Sequence, residues 1–217
     1  YKRQMKDNVF FVSGIDTNVG KSYATGYLAK TWNEQGVRTI TQKFIQTGNV
    51  GMSEDIELHR KIMGTGLLPE DESGLTMPEI FTYPCSPHLA AEIDHRPIDF
   101  DKIEKATRQL SETYDAVLLE GAGGLMVPLT RDLLTIDYVA QKNYPLIFVT
   151  SGKLGSINHT LLSLEAVTRR GIRLHTVAYN LFPEEDDDII RRDTEAYISD
   201  LLAKEYPETH FVIVPKL

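Results

Sequence analysis

An α/β fold, a mostly parallel sheet with helices on both faces, is what this sequence predicts, and three observations carry the prediction. Short β-rich apolar runs alternate with helical stretches along the 217 residues, the pattern left by strands joined through crossover helices. Ala116-Val117-Leu118-Leu119 reads as a fully buried strand. The first apolar run, Val9-Phe10-Phe11-Val12, opens into a turn-rich loop that ends in Gly20-Lys21-Ser22, and a helical segment follows.

The elements follow in order. Residues 8–13 read as the first strand and 21–35 as the first helix, closed by Gly36. Residues 37–42 form the second strand, followed by a polar segment with Gly48 and Gly51 and a short helix near 56–63. The stretch from 64 to 87 is rich in Gly, Pro and acidic residues and reads as loops around a short run at 80–83. A brief helix is expected at 87–93, and a longer one at 100–113 with Ile103, Ala106 and Leu110 on its apolar face. Then come a strand at 116–120, a helix at 136–142, a strand at 146–150, a helix at 157–170, a strand at 174–180, a helix at 186–205 and a last strand at 211–214. Trp32, within the first helix, is expected to pack against the sheet. No internal repeat or low-complexity tract is visible.

The length suits one domain over residues 1–217, with Met5 the expected natural start and residues 1–4 an added leader. The net charge of −8 argues against a nonspecific nucleic-acid surface. A single cysteine, Cys85, excludes an intrachain disulfide framework and fits a reducing, cytoplasmic setting. Cys85 has no metal-ligand spacing around it and reads as inert. No apolar run approaches the roughly 18 residues that cross a membrane, and the N-terminus lacks the apolar core of a signal peptide.

The loop from Gly14 to Ser22 has the layout of a P-loop. Backbone N–H groups would wrap phosphates, Lys21 would reach the β/γ oxygens and the Ser22 hydroxyl would bind Mg²⁺, with the following helix N-terminus adding partial positive charge. The fold is therefore expected to be P-loop NTPase-like, binding a nucleoside triphosphate. The spacing departs from the usual motif: Ile15 stands where a Gly is expected, and Gly14 lies one residue earlier.

Two more strand ends matter, because ligands in open α/β sheets bind beyond the carboxyl ends of strands. Glu120 leaves a buried strand for Gly121-Ala122-Gly123-Gly124, and reads as a second Mg²⁺-side element beside the P-loop rather than a solvated turn acid. Lys43 directly follows the second strand; it is either a second phosphate ligand or an exposed lysine, and periodicity does not choose. Gly152 to Asn158 reads as a glycine-bearing turn before a helix, with Ser156 or Asn158 as the cap. His88 reads equally as a cleft contact or a turn residue. The acidic run 184–188 complements the dipole of the last helix. Asn158-His159-Thr160 matches a glycosylation pattern that matters only in a secreted protein.

Taken together, Gly14 to Ser22, Lys43-Phe44-Ile45-Gln46-Thr47-Gly48, Ser86-Pro87-His88, Val117 to Gly124, Lys153 to His159 and Val212-Ile213-Val214-Pro215 resemble the dethiobiotin synthetases over nearly the whole chain. The long P-loop is that family's own spacing. The resemblance implies an ATP-dependent cyclo-ligase: one amine of 7,8-diaminononanoate captures CO₂ as a carbamate, the carbamate takes the γ-phosphate, and the second amine closes the ring to dethiobiotin. It implies that Lys21 binds the β/γ-phosphates amid Asn18, Val19, Gly20, Ser22 and Tyr23, and that Ser22, Asp55 and Glu120 hold Mg²⁺. Lys43 would bridge carbamate and γ-phosphate, with Thr17 and Thr47 bonding the carbamate or its neighbouring phosphate oxygens. Thr17, Lys21 and Lys43 would thus be the catalytic set. Gly121, Ala122, Gly123, Asn180, Leu181, Pro215, Lys216 and Leu217 would complete the nucleotide site, the last three and Asn180 at the adenine. Gly155, Ser156 and Asn158 would hold the substrate carboxylate of a neighbouring subunit, making the active form a homodimer. Asn18 replaces a common acidic residue, Phe44 a usual Pro, Thr47 a usual Ser and Ser22 a Thr.

A ParA/MinD-like nucleotide switch is the competing reading. It expects a second Lys at the start of the P-loop, where this chain has Gly14-Ile15-Asp16, and its membrane-binding forms carry a basic amphipathic tail. Amidotransferases of the cobyrinate type usually continue into a glutaminase domain.

Overall fold

The computed structural model describes residues 8–182 and 187–216. In chain order the elements are β1 (Val9–Gly14), α1 (Lys21–Glu34), β2 (Thr39–Lys43), β3 (Gln46–Thr47), α2 (Glu54–Met63), α3 (Pro69–Glu72), β4 (Ile80–Phe81) and α4 (Pro87–Ile93). They continue as α5 (Phe100–Thr113), β5 (Ala116–Gly124), α6 (Thr135–Lys142), β6 (Leu146–Ser151), α7 (Ser156–Arg169), β7 (Leu174–Asn180), α8 (Asp188–Glu205) and β8 (His210–Val214). The main sheet has the order β2-β5-β1-β6-β7-β8, and every pair is parallel. Residues 1–5 and Leu217, together with residues 184–186 of the acidic run, lie outside the described residues.

Strand geometry explains the two cores. Successive side chains point to opposite faces. Phe11, Val117, Leu119, Leu146 and Phe148 therefore join one cluster with Ile103, Leu110, Val139, Leu164 and Val167 of the helices. Val12, Leu118, Ile147 and Val149 join the other with Ala24, Leu28 and Ala29 of α1. A sheet covered on both faces needs apolar residues at both parities, which is why its runs are continuous. Trp32 packs edge-on to Phe10 of β1, as expected.

Four departures from the sequence reading bear on the site. The strand expected to end at Glu120 runs on to Gly124, because these glycines let β5 lie close against β1: a Cβ on Gly121 would sit 2.9 Å from the Phe11 ring. α2 starts at Glu54, two residues before the expected start, because the Ser53 hydroxyl accepts the Ile56 N–H and caps it. Asp55 is thereby placed in the first turn. A small parallel sheet pairs β3 with β4, Gln46 opposite Ile80 and Thr47 opposite Phe81; two-residue strands leave no periodicity to read. Neither Ser156 nor Asn158 caps α7: Gly155, in the left-handed region at φ 98°, occupies the cap position without a side-chain bond. The last helix is capped by Asp187, which accepts from Ile189 N and Ile190 N. Among the described residues, no helix is long and apolar enough to cross a membrane.

Candidate active site

The strand order β2-β5-β1 sets three carboxyl ends side by side. Lys43 and Glu120 are direct partners in the β2–β5 register, and Glu120 also faces Val12 of β1. The loop after β1 leads into α1 through Gly20, whose φ of 84° suits glycine. A Cβ there would lie 2.1 Å from the Asn180 amide nitrogen, so the loop can close only on a glycine. α1 has no side-chain cap and no acidic residue in its first turn. Its leading amides therefore face the cleft with the partial positive charge that attracts an anion.

Above these ends lies a cleft of about 960 Å³. Thr17, Asn18, Gly20, Lys21, Ser22 and Tyr23 line one side, Lys43, Thr47, Asp55 and Glu120 the floor, and Ala122 and Gly123 the β5 side. Lys21 is buried with its ammonium on the Asp16 and Thr17 carbonyls, at 2.8 and 3.1 Å. Burial, and then the nearby Lys43, lower its pKa to about 8 against the pull of Glu120, Asp55 and Asp16.

Lys43 is the cation of the floor. Its Nζ lies 2.5 Å from Asp55 Oδ2 and 2.9 Å from Glu120 Oε1, and donates to the Gly121 carbonyl at 3.3 Å. Burial alone would lower its pKa, but the two carboxylates outweigh burial and hold it above the ordinary lysine range. Glu120 is the mirror case. Burial pushes it up, yet Lys43 and then His59 hold it well below the ordinary carboxylate range. The exposed alternative for Lys43 is thereby excluded: it is buried, in the cleft, and paired.

Three oxygens converge at the same place. Ser22 Oγ is 2.6 Å from Asp55 Oδ1 and 2.9 Å from Glu120 Oε1. One hydroxyl hydrogen serves only one of these acceptors. Adjacent oxygens of an octahedral Mg²⁺ shell lie about 3 Å apart, given metal–oxygen distances near 2.1 Å. This all-oxygen set therefore fits a small hard cation.

Other expected residues fall elsewhere. Val19 is buried in the α1-side core. Asn180 is fully buried behind the loop; its amide donates to the Val19 carbonyl at 2.9 Å and accepts from Phe182 N at 3.2 Å. Leu181 bonds Val214 through its N–H, which brings Pro215 and Lys216 to the same sheet edge. Gly155, Ser156 and Asn158 are not in the cleft wall of this chain, although Lys153 is. Ser156 is buried, with its hydroxyl 3.1 Å from that of Ser151. His88 pairs with Ser86 at 3.0 Å and is not in the wall, whereas Ser86 and Cys85 are. Burial, then Asp94, raise the Cys85 thiol pKa.

The sequence reading missed Phe182, which lines the cleft beside Tyr23 at a ring distance of 5.3 Å, and Gln46, which accepts from Ser53 Oγ at 2.6 Å. It also missed His59, buried against Glu120 at 2.8 Å. Only His59 left a signal: it stands four residues after Asp55, on the same face of a helix.

A parallel sheet, a glycine-pinned loop at a helix N-terminus and a buried Lys–carboxylate floor define a P-loop nucleotide-dependent enzyme. A family profile described as an AAA domain matches residues 8–215. Solved structures share the fold at low identity. A ParA family ATPase from Chlorobium tepidum superposes with a TM-score of 0.53 at 12% identity, over 98% of this chain and 86% of that one. The signal recognition particle receptor FtsY of Elizabethkingia anophelis gives a TM-score of 0.54 at 16% identity, over 97% of this chain. The present chain spans only 58% of that receptor's length.

Sequence relatives are more particular. An ATP-dependent dethiobiotin synthetase of Pasteurella multocida is 52% identical over 206 residues, 95% of this chain and 96% of its own. One from Haemophilus influenzae is 57% identical over 184 residues, 85% of this chain and 96% of its own. The chain belongs to the dethiobiotin synthetase family.

Proposed function

We propose that this protein is an ATP-dependent cyclo-ligase that converts 7,8-diaminononanoate, CO₂ and ATP to dethiobiotin, ADP and phosphate. The observation that carries the reading is identity above 50% along nearly full length to enzymes of that name, in a chain whose cleft contains the charges such a reaction uses. One amine adds to CO₂, forming a C–N bond and releasing a proton. The carbamate oxygen attacks the γ-phosphorus and ADP leaves, giving a carbamic-phosphoric anhydride. The second amine attacks the carbonyl carbon, expels phosphate and closes the cyclic urea.

The chain's share is positioning and charge. Lys21, held over the loop carbonyls, turns to the β/γ oxygens. Lys43, on the cleft floor, reaches the carbamate and γ-phosphate together, where a preorganised cation is worth about 3–4 kcal/mol in the transition state. Thr17 and Thr47 line the same space and would donate to the carbamate or its neighbouring phosphate oxygens. Ser22, Asp55 and Glu120 would hold Mg²⁺, which supplies charge neutralisation on the phosphates. Tyr23 and Phe182 flank the nucleobase end, with Asn180, Leu181, Pro215 and Lys216 behind it.

The α7 entry, Gly155 to Asn158, is read as serving a second subunit. Its place outside this chain's cleft supports that assignment, as does the exposed Leu162 further along α7. A cytoplasmic site of action belongs to the same reading and rests on the single cysteine and the ATP consumed.

The test is turnover of diaminononanoate with CO₂ and MgATP by wild type and Lys43→Ala. Wild type forms dethiobiotin and the variant loses about 10²–10³-fold in kcat. Equal turnover in the variant removes Lys43 from the mechanism. A wild type that binds ATP but makes no dethiobiotin points instead to the nucleotide-switch reading.

A further inference from the structure

α2 brings more to the cleft than Asp55. One turn later, at the i+4 position that shares its helix face, stands His59, with its ring completely buried. Nε2 lies 2.8 Å from Glu120 Oε2, and Nδ1 lies 3.0 Å from Thr41 Oγ1. Glu120 is a carboxylate and only accepts, which puts a ring hydrogen on Nε2; the Thr41 hydroxyl accepts from Arg60 Nη1 at 2.8 Å and has its own hydrogen for Nδ1. Arg60 is itself fixed by two 2.8 Å bonds to buried Asp71. A continuous buried chain, Asp71–Arg60–Thr41–His59, thus ends on one oxygen of Glu120. The other oxygen, Oε1, is the one near Ser22 and Lys43.

We propose that His59 is a positioning residue for the divalent cation: by holding Oε2 it fixes the rotation of the Glu120 carboxylate and aims Oε1 at the point where the Ser22 and Asp55 oxygens meet. The inference rests on reading Glu120 as a cation ligand. Outer-shell partners of this kind orient ligands, and their loss costs about 10–100-fold in metal affinity or activity. Gln46 supports the same arrangement from the other end of α2 by accepting from the capping Ser53 hydroxyl.

The experiment measures ADP binding by calorimetry in EDTA and across a Mg²⁺ titration, for wild type, His59→Leu, His59→Gln, His59→Asn and Glu120→Gln. In His59→Leu, binding in EDTA should match wild type, while the Mg²⁺ concentration that gives half the enhancement rises about 10–100-fold. His59→Gln, whose amide reaches as far as Nε2, should retain the wild-type Mg²⁺ response; His59→Asn, which is too short, should lose it. This pair keeps the test valid if the leucine variant does not fold. An unchanged Mg²⁺ response in His59→Leu, or equal responses in the Gln and Asn variants, overturns the assignment. An unchanged response in Glu120→Gln overturns the ligand role of Glu120 itself, a distinct failure. In turnover, the His59→Leu defect should appear in the Mg²⁺ requirement and be largely relieved at saturating Mg²⁺.

Discussion

Replacing Lys43 by Met tests the electrostatics of the cleft floor apart from turnover. Methionine keeps the apolar stem and removes one charge. That charge lies 2.5 Å from Asp55 and 2.9 Å from Glu120, and the lysine side chain is only 5% exposed. Glu120 is fully buried, so it loses its nearest cation without gaining water. Stranding one partner of a buried ion pair costs about 3–5 kcal/mol. Asp55 is 21% exposed and rehydrates, which places the cost toward the lower end of that range. At about 2–4 °C per kcal/mol for a domain of this size, the fall in melting temperature is about 6–15 °C. The assay is thermal unfolding in EDTA near pH 7.5. Adding Glu120→Gln should recover much of the loss, since the stranded charge is then gone, with a coupling energy of about 0.5–3 kcal/mol in the double-mutant cycle. Mg²⁺ should raise the melting temperature of Lys43→Met more than that of wild type, because a bound cation substitutes for the missing ammonium. A melting temperature within 2 °C of wild type, or strictly additive single and double variants, would refute the reasoning.

Two further outcomes follow from other parts of the chain. His175 is packed among Phe10, Trp32 and His210, and burial, then His210 and Arg173, lower its pKa from 6.5 to about 4. The unfolded chain therefore takes up this proton near pH 6.5 and the folded chain only near 4. Its contribution is complete above 6.5 and is lost as pH falls toward 4, up to about 3 kcal/mol at 1.36 kcal/mol per pKa unit. Urea unfolding across that window should be steeper in pH for wild type than for His175→Phe, and equal slopes would exclude the residue as the source. Gly20→Ala combines a left-handed backbone with a Cβ 2.1 Å from the Asn180 amide, at a conformational cost of about 1–2 kcal/mol before any clash. Nucleotide binding followed with a fluorescent ADP analogue should be lost; wild-type affinity would show that the loop tolerates reshaping.

What was legible in the sequence was whatever depends on local pattern. The core strands are marked by apolar runs long enough to read, and β7 at Leu174–Asn180 matches residue for residue. The P-loop is marked by Gly-Lys-Ser at a strand–helix junction and Glu120 by its place at a strand end, whereas the strand end leaves Lys43 undecided and only its pairing with Asp55 and Glu120 decides it. The unread features depend on distant neighbours. Gly121 to Gly124 looks like a loop in isolation; only the Phe11 ring and the β1 backbone make it a strand. Asn180 offers no local sign that its amide bonds a carbonyl 161 positions earlier. His59 lies on a helix with a mixed face, and its meaning comes from Thr41 and Glu120, which reach it from β2 and β5.

The charges that line the cleft say what kind of ligand it accepts. Lys21, Lys43 and Lys153 stand against Glu54, Asp55 and Glu120, three of each sign. Balanced side chains do not by themselves neutralise a triphosphate, and the partial charge of the α1 amides covers only part of it. Two of the acids are buried or half-buried on the floor and have Lys43 between them, so that ammonium is not free for phosphate while both carboxylates claim it. On the proposed reading, Asp55 and Glu120 would hold a cation that arrives with the nucleotide and neutralises phosphate charge, and Lys43 would then turn toward the transferring group. Lys43 would thus be released by the same event that loads the site. Free ATP should bind weakly and leave Lys43 paired, whereas ATP with its cation should bind and free it. On that reading, the strand register that makes Lys43 and Glu120 neighbours would couple loading to reactivity.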